Sequence, residues 1–205
     1  RKKSLRNESN KHSISLELQI YDTKSREGRK LKAREHNKCL HNLADAINWG
    51  LGNYPGELSE DFIKEIASRI EPEYNLEGYR KQKVRITGSV WSPPSPEKIE
   101  REMPFFIFEN SCLDNIIAQS VHAHFHIARI HPFIDGNGRT ARAVQNIMLE
   151  NAGFLPADIR LDERLEYIHL LDSAVNSYKL AEGNLDSGSL QRINQIYDPF
   201  KNQAL

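Results

Sequence analysis

One short stretch, His131-Pro-Phe-Ile-Asp-Gly-Asn-Gly-Arg-Thr-Ala-Arg142, brings a base, a carboxylate, a Gly-Asn-Gly turn and two arginines together. The run after Gly138 reads as a helix, with Val144, Ile147, Met148 and Leu149 as its apolar stripe. The loop therefore feeds a helix N-terminus, where the first N–H groups lack intrahelical partners and the macrodipole is positive. Gly136 and Gly138 free the backbone for positive φ and close approach, and Asn137 tolerates the left-handed region. Such a turn is a cradle for phosphate.

The side chains narrow the chemistry. Arg139 and Arg142 are three apart and share a face of the first helical turn, where two cations are misplaced unless an anion joins them. Asp135 adds a hard oxygen ligand suited to Mg²⁺ shared with phosphate. His131, at the end of the preceding helix, can take a proton from an incoming hydroxyl. These parts describe phosphoryl or nucleotidyl transfer, in which positioning and charge neutralisation do most of the work.

The elements that must position this loop read mostly as helix. Residues 30–49 carry Leu31, Leu40, Leu43, Ala44 and Ile47, with a stop expected at Gly50 and a turn-rich stretch to Gly56. Ser59 can cap the next helix, striped by Phe62, Ile63, Ile66 and Ile70 and ended before Pro72. Pro104 opens a cluster of Phe105, Phe106, Ile107 and Phe108. Helices are expected over 113–130, leading to the motif, over 162–181 after a break at Gly153 and Pro156, and from Ser187 to Tyr197. One segment departs from the helical pattern. Val84, Arg85, Ile86, Thr87, Gly88, Ser89, Val90 and Trp91 alternate around a Gly-Ser turn, which reads as a β-hairpin with an unpaired edge.

Composition sets outer limits. The 205 residues, 39% of them hydrophobic, suffice for one domain with a sizeable core. Lysine plus arginine equals aspartate plus glutamate at 28 each, so net charge argues for neither nucleic acid nor a membrane surface. No run approaches the roughly 18 apolar residues of a membrane span. Cys39 and Cys112 read as buried free thiols in a reducing compartment, and a cytoplasmic protein is expected. His122 and His126 share a helical face, but the sequence offers no third zinc ligand beside them. His124 reads as a support for the motif loop and Phe133 as its core anchor.

The loop residues His131, Phe133, Asp135, Gly136, Asn137, Gly138, Arg139 and Arg142 match every specified position of the Fic signature, His-x-Phe-x-[Asp/Glu]-Gly-Asn-Gly-Arg-x-x-Arg. Upstream, Glu77-Gly-Tyr-Arg80, the hairpin segment, Pro93-Pro94 and Met103 resemble the same family, so the likeness spans roughly residues 23–155. The resemblance implies an all-α, Fic-type helical domain with a small β-hairpin flap. It implies that residues 84–91 dock the backbone of a target protein beside the catalytic loop, by adding a strand to the flap edge.

It implies an activity as well: transfer of AMP from ATP-Mg²⁺ to a Ser, Thr or Tyr hydroxyl of a target protein, and of the chain itself. His131 would be the base, Asp135 the Mg²⁺ ligand, and Gly136, Asn137 and Gly138 the cradle. Arg139 would neutralise the departing charge and Arg142 would hold the γ-phosphate. Near the start, Thr23-Lys-Ser-Arg-Glu27-Gly28 matches the family's inhibitory pattern [Ser/Thr]-x-x-x-Glu-[Gly/Asn], with Gly28 where close relatives carry Asn. By that likeness Glu27 would pair with Arg142 and turn bound ATP out of line for attack. The same glutamate would permit the reverse removal of AMP from the target. The implied organisation is an N-terminal extension with the inhibitory helix over 1–29 and a Fic domain over 30–205, its core at 30–155 and C-terminal helices at 156–205. Homo-oligomerisation is compatible with it. Two alternatives stay open: a phosphotransferase or phosphocholine transferase of the same fold, and a non-catalytic ATP-sensing switch.

Overall fold

The computed structural model describes the backbone of residues 26–86 and 91–182, and the side chains of 35–86, 91–160 and 162–180. The chain divides into two compact units, Arg1–Asn42 and Leu43–Leu205. The elements are helices: α1 (Arg26–Asn53), α2 (Glu60–Ile70), α3 (Pro72–Asn75), α4 (Pro96–Ser111), α5 (Ile116–Ile130), α6 (Asn137–Asn151), a 3₁₀ turn (Leu161–Glu163) and α7 (Arg164–Glu182). The expected helix at 187–197 lies outside the described residues.

Local signals account for most helix ends. Ser59 caps α2 by accepting from the Phe62 amide at 3.2 Å, as its position in the sequence predicts. Asn115 does the same for α5, accepting from Ala118 at 2.8 Å. Pro72 opens α3, where its missing N–H is no loss.

Packing overrides the local signal in two places. Gly50 does not stop α1, which continues to Asn53. A Cβ at Gly50 would lie 2.3 Å from the Ile147 side chain and 2.9 Å from that of Ile66. The residue is therefore a close crossing point, buried where α1 meets α2 and α6. Likewise Pro104 sits inside α4 rather than opening it. The helix survives because Ile99, Met103, Phe106 and Asn110 recur at helical spacing and are all buried, while Pro104 faces solvent. Of the expected aromatic cluster only Phe106 is core; Phe105 and Phe108 are exposed.

At the centre, α6 packs most extensively on α5, then on α2, and α5 also packs on α4. From Ser120 to Ile130 every residue of α5 is buried. Such a helix can carry charge only in pairs, and Arg129 meets Glu102 of α4 at 2.8 Å. A smaller apolar cluster joins Val121 and Phe125 of α5 to Ala174, Val175 and Tyr178 of α7, and takes in Trp91. The stripe expected on the first helix is right at Leu43 and Ile47, which lie against the core, but Leu40 and Ala44 are exposed.

The mostly helical fold agrees with expectation, but the β-hairpin is not confirmed. No strand occurs among the described residues, and Val84, Arg85 and Ile86 run without a ladder; Thr87, Gly88, Ser89 and Val90 lie outside them. Ile86 and Trp91 turn onto the smaller apolar cluster, and Arg80 takes the carbonyls of Gln82 and Pro94 that flank the segment. The thiol expectation is corrected: Cys112 is exposed just past the end of α4, and Cys39 is half-buried.

Candidate active site

The motif loop is built around a single amide. Asn137, 2% exposed, accepts from the Phe133 N–H at 2.8 Å and returns its own N–H to the Phe133 carbonyl at 2.9 Å. That reciprocal pair closes the loop, and Phe133 is fully buried beside Tyr79. The Asn137 side chain is thus a brace. Its share in a phosphate cradle is the backbone it holds in place.

Of the two glycines expected at positive φ, only Gly136 adopts it, at φ 76°. The conformation favours glycine, and a Cβ there would also crowd Glu71 at 3.1 Å and Ile70 at 3.2 Å. Gly138 is helical, because α6 begins at Asn137 and not after the motif's last glycine. No side chain caps this N-terminus, and the first intrahelical bond is Thr140 N–H to the Gly136 carbonyl, 2.8 Å. An uncapped helix N-terminus of this kind is where an anion binds.

His131 ends α5 in the left-handed conformation, φ 52° and ψ 56°, and is the one non-glycine at positive φ among the described residues. Its Nδ1 lies 3.3 Å from the Ala128 carbonyl, which can only accept, so Nδ1 carries the proton and Nε2 the lone pair. Burial, aided by the Arg80 cation and opposed by the Ala128 bond and Asp135, lowers the imidazole pKa to about 4. Near neutral pH the ring is a free base.

A cavity of about 640 Å³ opens in front of it. Asp135, Gly138, Arg139 and Arg142 line one side with His131, and Ile86, Trp91, Ile159, Ile168 and Leu171 supply apolar walls. The volume suits a small ligand with an apolar body and an anionic end. Asp135 keeps a largely exposed carboxylate, tied by the Gly136 amide at 2.6 Å and facing Arg139 at 3.5 Å.

The two arginines differ in a way the sequence did not reveal. Arg139 is already engaged by Glu71 at 2.6 Å, from the turn between α2 and α3. Arg142 makes no ion pair among the described residues; it hydrogen-bonds the Tyr167 hydroxyl, whose pKa burial raises. Tyr167 in turn donates to His124 Nε2 at 2.8 Å, and His124 Nδ1 bonds Gln145. His124 does support the motif, therefore, through Arg142. Glu71 and Tyr167 carry no sequence signal; only the fold brings them here. Thr23 and the side chain of Glu27 lie outside the described residues, and with them the expected Glu27–Arg142 pair; Gly28 is described only as helical backbone.

The structure adds a group to the histidine face. Glu109 of α4 brings a carboxylate to His122 and His126, so that one ligand atom from each lies within 4.8 Å of the others. Arg129 places a fixed positive charge beside this trio, with Nη2 3.3 Å from His126 Nδ1. A cation would have to bind against it.

Residues 57–149 match the Fic/DOC family model. A protein adenylyltransferase Fic from Nematostella vectensis is 33% identical over 175 residues, covering 82% of this chain and 40% of that protein. The chain spans well under half the length of such curated relatives. Among solved structures, a Fic domain containing signaling protein from Bacteroides thetaiotaomicron superposes with TM-score 0.64 at 22% identity, covering 82% of this chain and 66% of the other. A Fic-1 fragment from C. elegans gives 0.56 at 25% identity, with 82% and 53% covered. The signature loop, the helices that hold it and these likenesses agree: this chain carries a Fic/DOC family domain.

Proposed function

We propose that this chain transfers AMP from ATP to a Ser, Thr or Tyr hydroxyl of a protein target. The observation that carries the reading is the meeting, in one cavity, of an unprotonated His131 Nε2, an uncapped helix N-terminus and Arg142. His131 takes the hydroxyl proton as the oxygen attacks the α-phosphorus; the bond to the β-phosphate oxygen breaks and pyrophosphate leaves. The amides of Gly138 and its neighbours hold the phosphates, Arg139 meets the charge that develops on the leaving group, and Arg142 holds the γ end. The largely exposed Asp135 carboxylate on the cavity wall fits a hard cation. Asp135 would hold Mg²⁺ there, and the ion would supply charge neutralisation for the phosphates.

Residues 84–91 present the target, and the place of Ile86 and Trp91 in the wall of the cavity that His131 also lines supports that role. Glu27 restrains transfer by claiming Arg142. The support for this is the match of Thr23, Glu27 and Gly28 to the inhibitory pattern.

Labelled ATP tests the reading. Glu27→Gly protein with Mg²⁺ is expected to acquire α-label faster than the wild type, and His131→Ala is expected to abolish it. Transfer of γ-label instead would indicate a kinase, and ATP binding with no label on any protein would indicate a sensing switch.

A further inference from the structure

Arg80 is 3% exposed, yet its guanidinium makes no ion pair among the described residues. Burial lowers its pKa, and Glu97 is the acid that opposes the shift. A buried charge without a carboxylate is costly unless its donors are used. Here four of the five N–H groups are used, on carbonyls. Nε donates to His131 at 2.7 Å, Nη1 to Gln82 at 2.9 Å, and Nη2 to Pro94 at 2.7 Å, with the Ile130 carbonyl at 3.5 Å. The Arg80 amide itself donates to Pro132 at 2.8 Å.

These acceptors fall in three separate places. Gln82 and Pro94 are the two feet of the segment 83–93, whose Ile86 and Trp91 line the cavity. Ile130, His131 and Pro132 are the turn out of α5, where His131 holds a left-handed conformation that costs roughly 1–2 kcal/mol for a residue with a Cβ. A strained backbone persists only where its surroundings hold it, and Arg80 holds the carbonyl of the strained residue itself.

We propose that Arg80 is a positioning residue: one guanidinium fixes the His131 backbone to both feet of the target-docking segment, and so sets the base against the incoming hydroxyl. This rests on the reading of His131 as the base. A planar fork with fixed donor directions is what the task needs, and a lysine ammonium at the end of a flexible stem cannot span the three carbonyl groups.

The test uses Arg80→Lys and Arg80→Gln in the Glu27→Gly background. ATP affinity is measured by calorimetry and the rate of α-label transfer is followed across pH. Both variants are expected to bind ATP within a few-fold of the parent and to label about 10²-fold more slowly, the cost of a small misplacement. The groups facing His131 are Arg80, the Ala128 carbonyl of α5 and Asp135, with Arg139 and Arg142 of α6 across the cavity. Removing one of these cations should move the acid limb of the rate profile to higher pH in Arg80→Gln but not in Arg80→Lys. Parental rates in both variants would overturn the inference. So would unfolding of both by circular dichroism, or loss of ATP binding in proportion to rate, since either assigns Arg80 to the fold alone. His131→Ala is run beside them. If it still labels, the base reading fails; if it is silent while the Arg80 variants label normally, only the role of Arg80 fails.

Discussion

Arg139 and Arg142 stand one helical turn apart, yet their charges are not equally available. Glu71 holds the first at 2.6 Å, whereas the second is oriented by a neutral hydroxyl and makes no ion pair among the described residues. An incoming polyphosphate must share Arg139 with a carboxylate and can take Arg142 outright, which is why a competing glutamate would act most effectively at Arg142. Glu71 has a second constraint on it, because its side chain packs against the face where Gly136 lacks a Cβ. Gly136→Ala should therefore both strain the backbone at φ 76° and displace Glu71 or Ile70. We expect a loss of about 1–3 kcal/mol in stability and of most labelling activity. Gly52→Ala is the matched control: a Cβ there meets nothing within 4 Å, and α1 should gain about 0.5–1 kcal/mol. Denaturant melts of the two variants check the pair; equal effects would mean that Gly136 is not held by its surroundings.

At the scale of elements, what could be read from sequence was what is local. The signature loop is contiguous, so the meeting of His131, Asp135 and Arg142 in one cavity could be read from spacing, and the α2 cap at Ser59 from residue type. The long-range partners could not. Glu71 in a turn, and Tyr167, Gln145 and Glu109 on helices, look ordinary until packing brings them to Arg139, Arg142, His124 and His126. Gly50 and Pro104 misled for the same reason, since each obeys a tertiary contact and not its own propensity. The helix α5 shows the energetic side of this. Its Arg129 and the Glu102 of α4 have side chains only 5% and 15% exposed, so truncating one strands the other's charge. Glu102→Ala is expected to cost about 3 kcal/mol, by the behaviour of broken buried pairs. Lys81→Ala, which breaks a pair with Glu77 whose side chains are 85% and 89% exposed, should leave the thermal midpoint unchanged. Similar small losses in both would show that the Arg129–Glu102 pair is solvated.

The molecule as a whole carries an unusual load of buried neutral imidazole. Burial lowers His122, His124 and His131 to about 4, and His126 well below its ordinary value. The load follows from the architecture, because α5 is enclosed by α4, α6 and α7 and three of the four histidines lie along it. Above about pH 6.5 neither the folded nor the unfolded chain protonates these rings, so they cost nothing. Below it the unfolded chain takes up protons that the folded chain refuses, and stability falls with pH by about 1.4 kcal/mol per unit for each ring. The loss continues until the folded-state values near 4 are reached. Four rings together would exhaust a typical domain stability of roughly 5–15 kcal/mol near pH 5, above the range in which carboxylates protonate. Acid unfolding followed by circular dichroism should accordingly show a midpoint at about pH 5. His126→Phe should shift that midpoint downward, because a benzyl ring can keep the parallel stack on Phe106, at 5.4 Å between centroids, and takes up no proton. Loss of the Arg129 contact to His126 Nδ1 would lower stability at every pH and would not mimic the shift in slope between pH 4 and 6.5. A midpoint near pH 4 that His126→Phe leaves in place would mean that the rings are already protonated in the fold. It would also mean that the desolvation invoked to keep His131 a free base is not there.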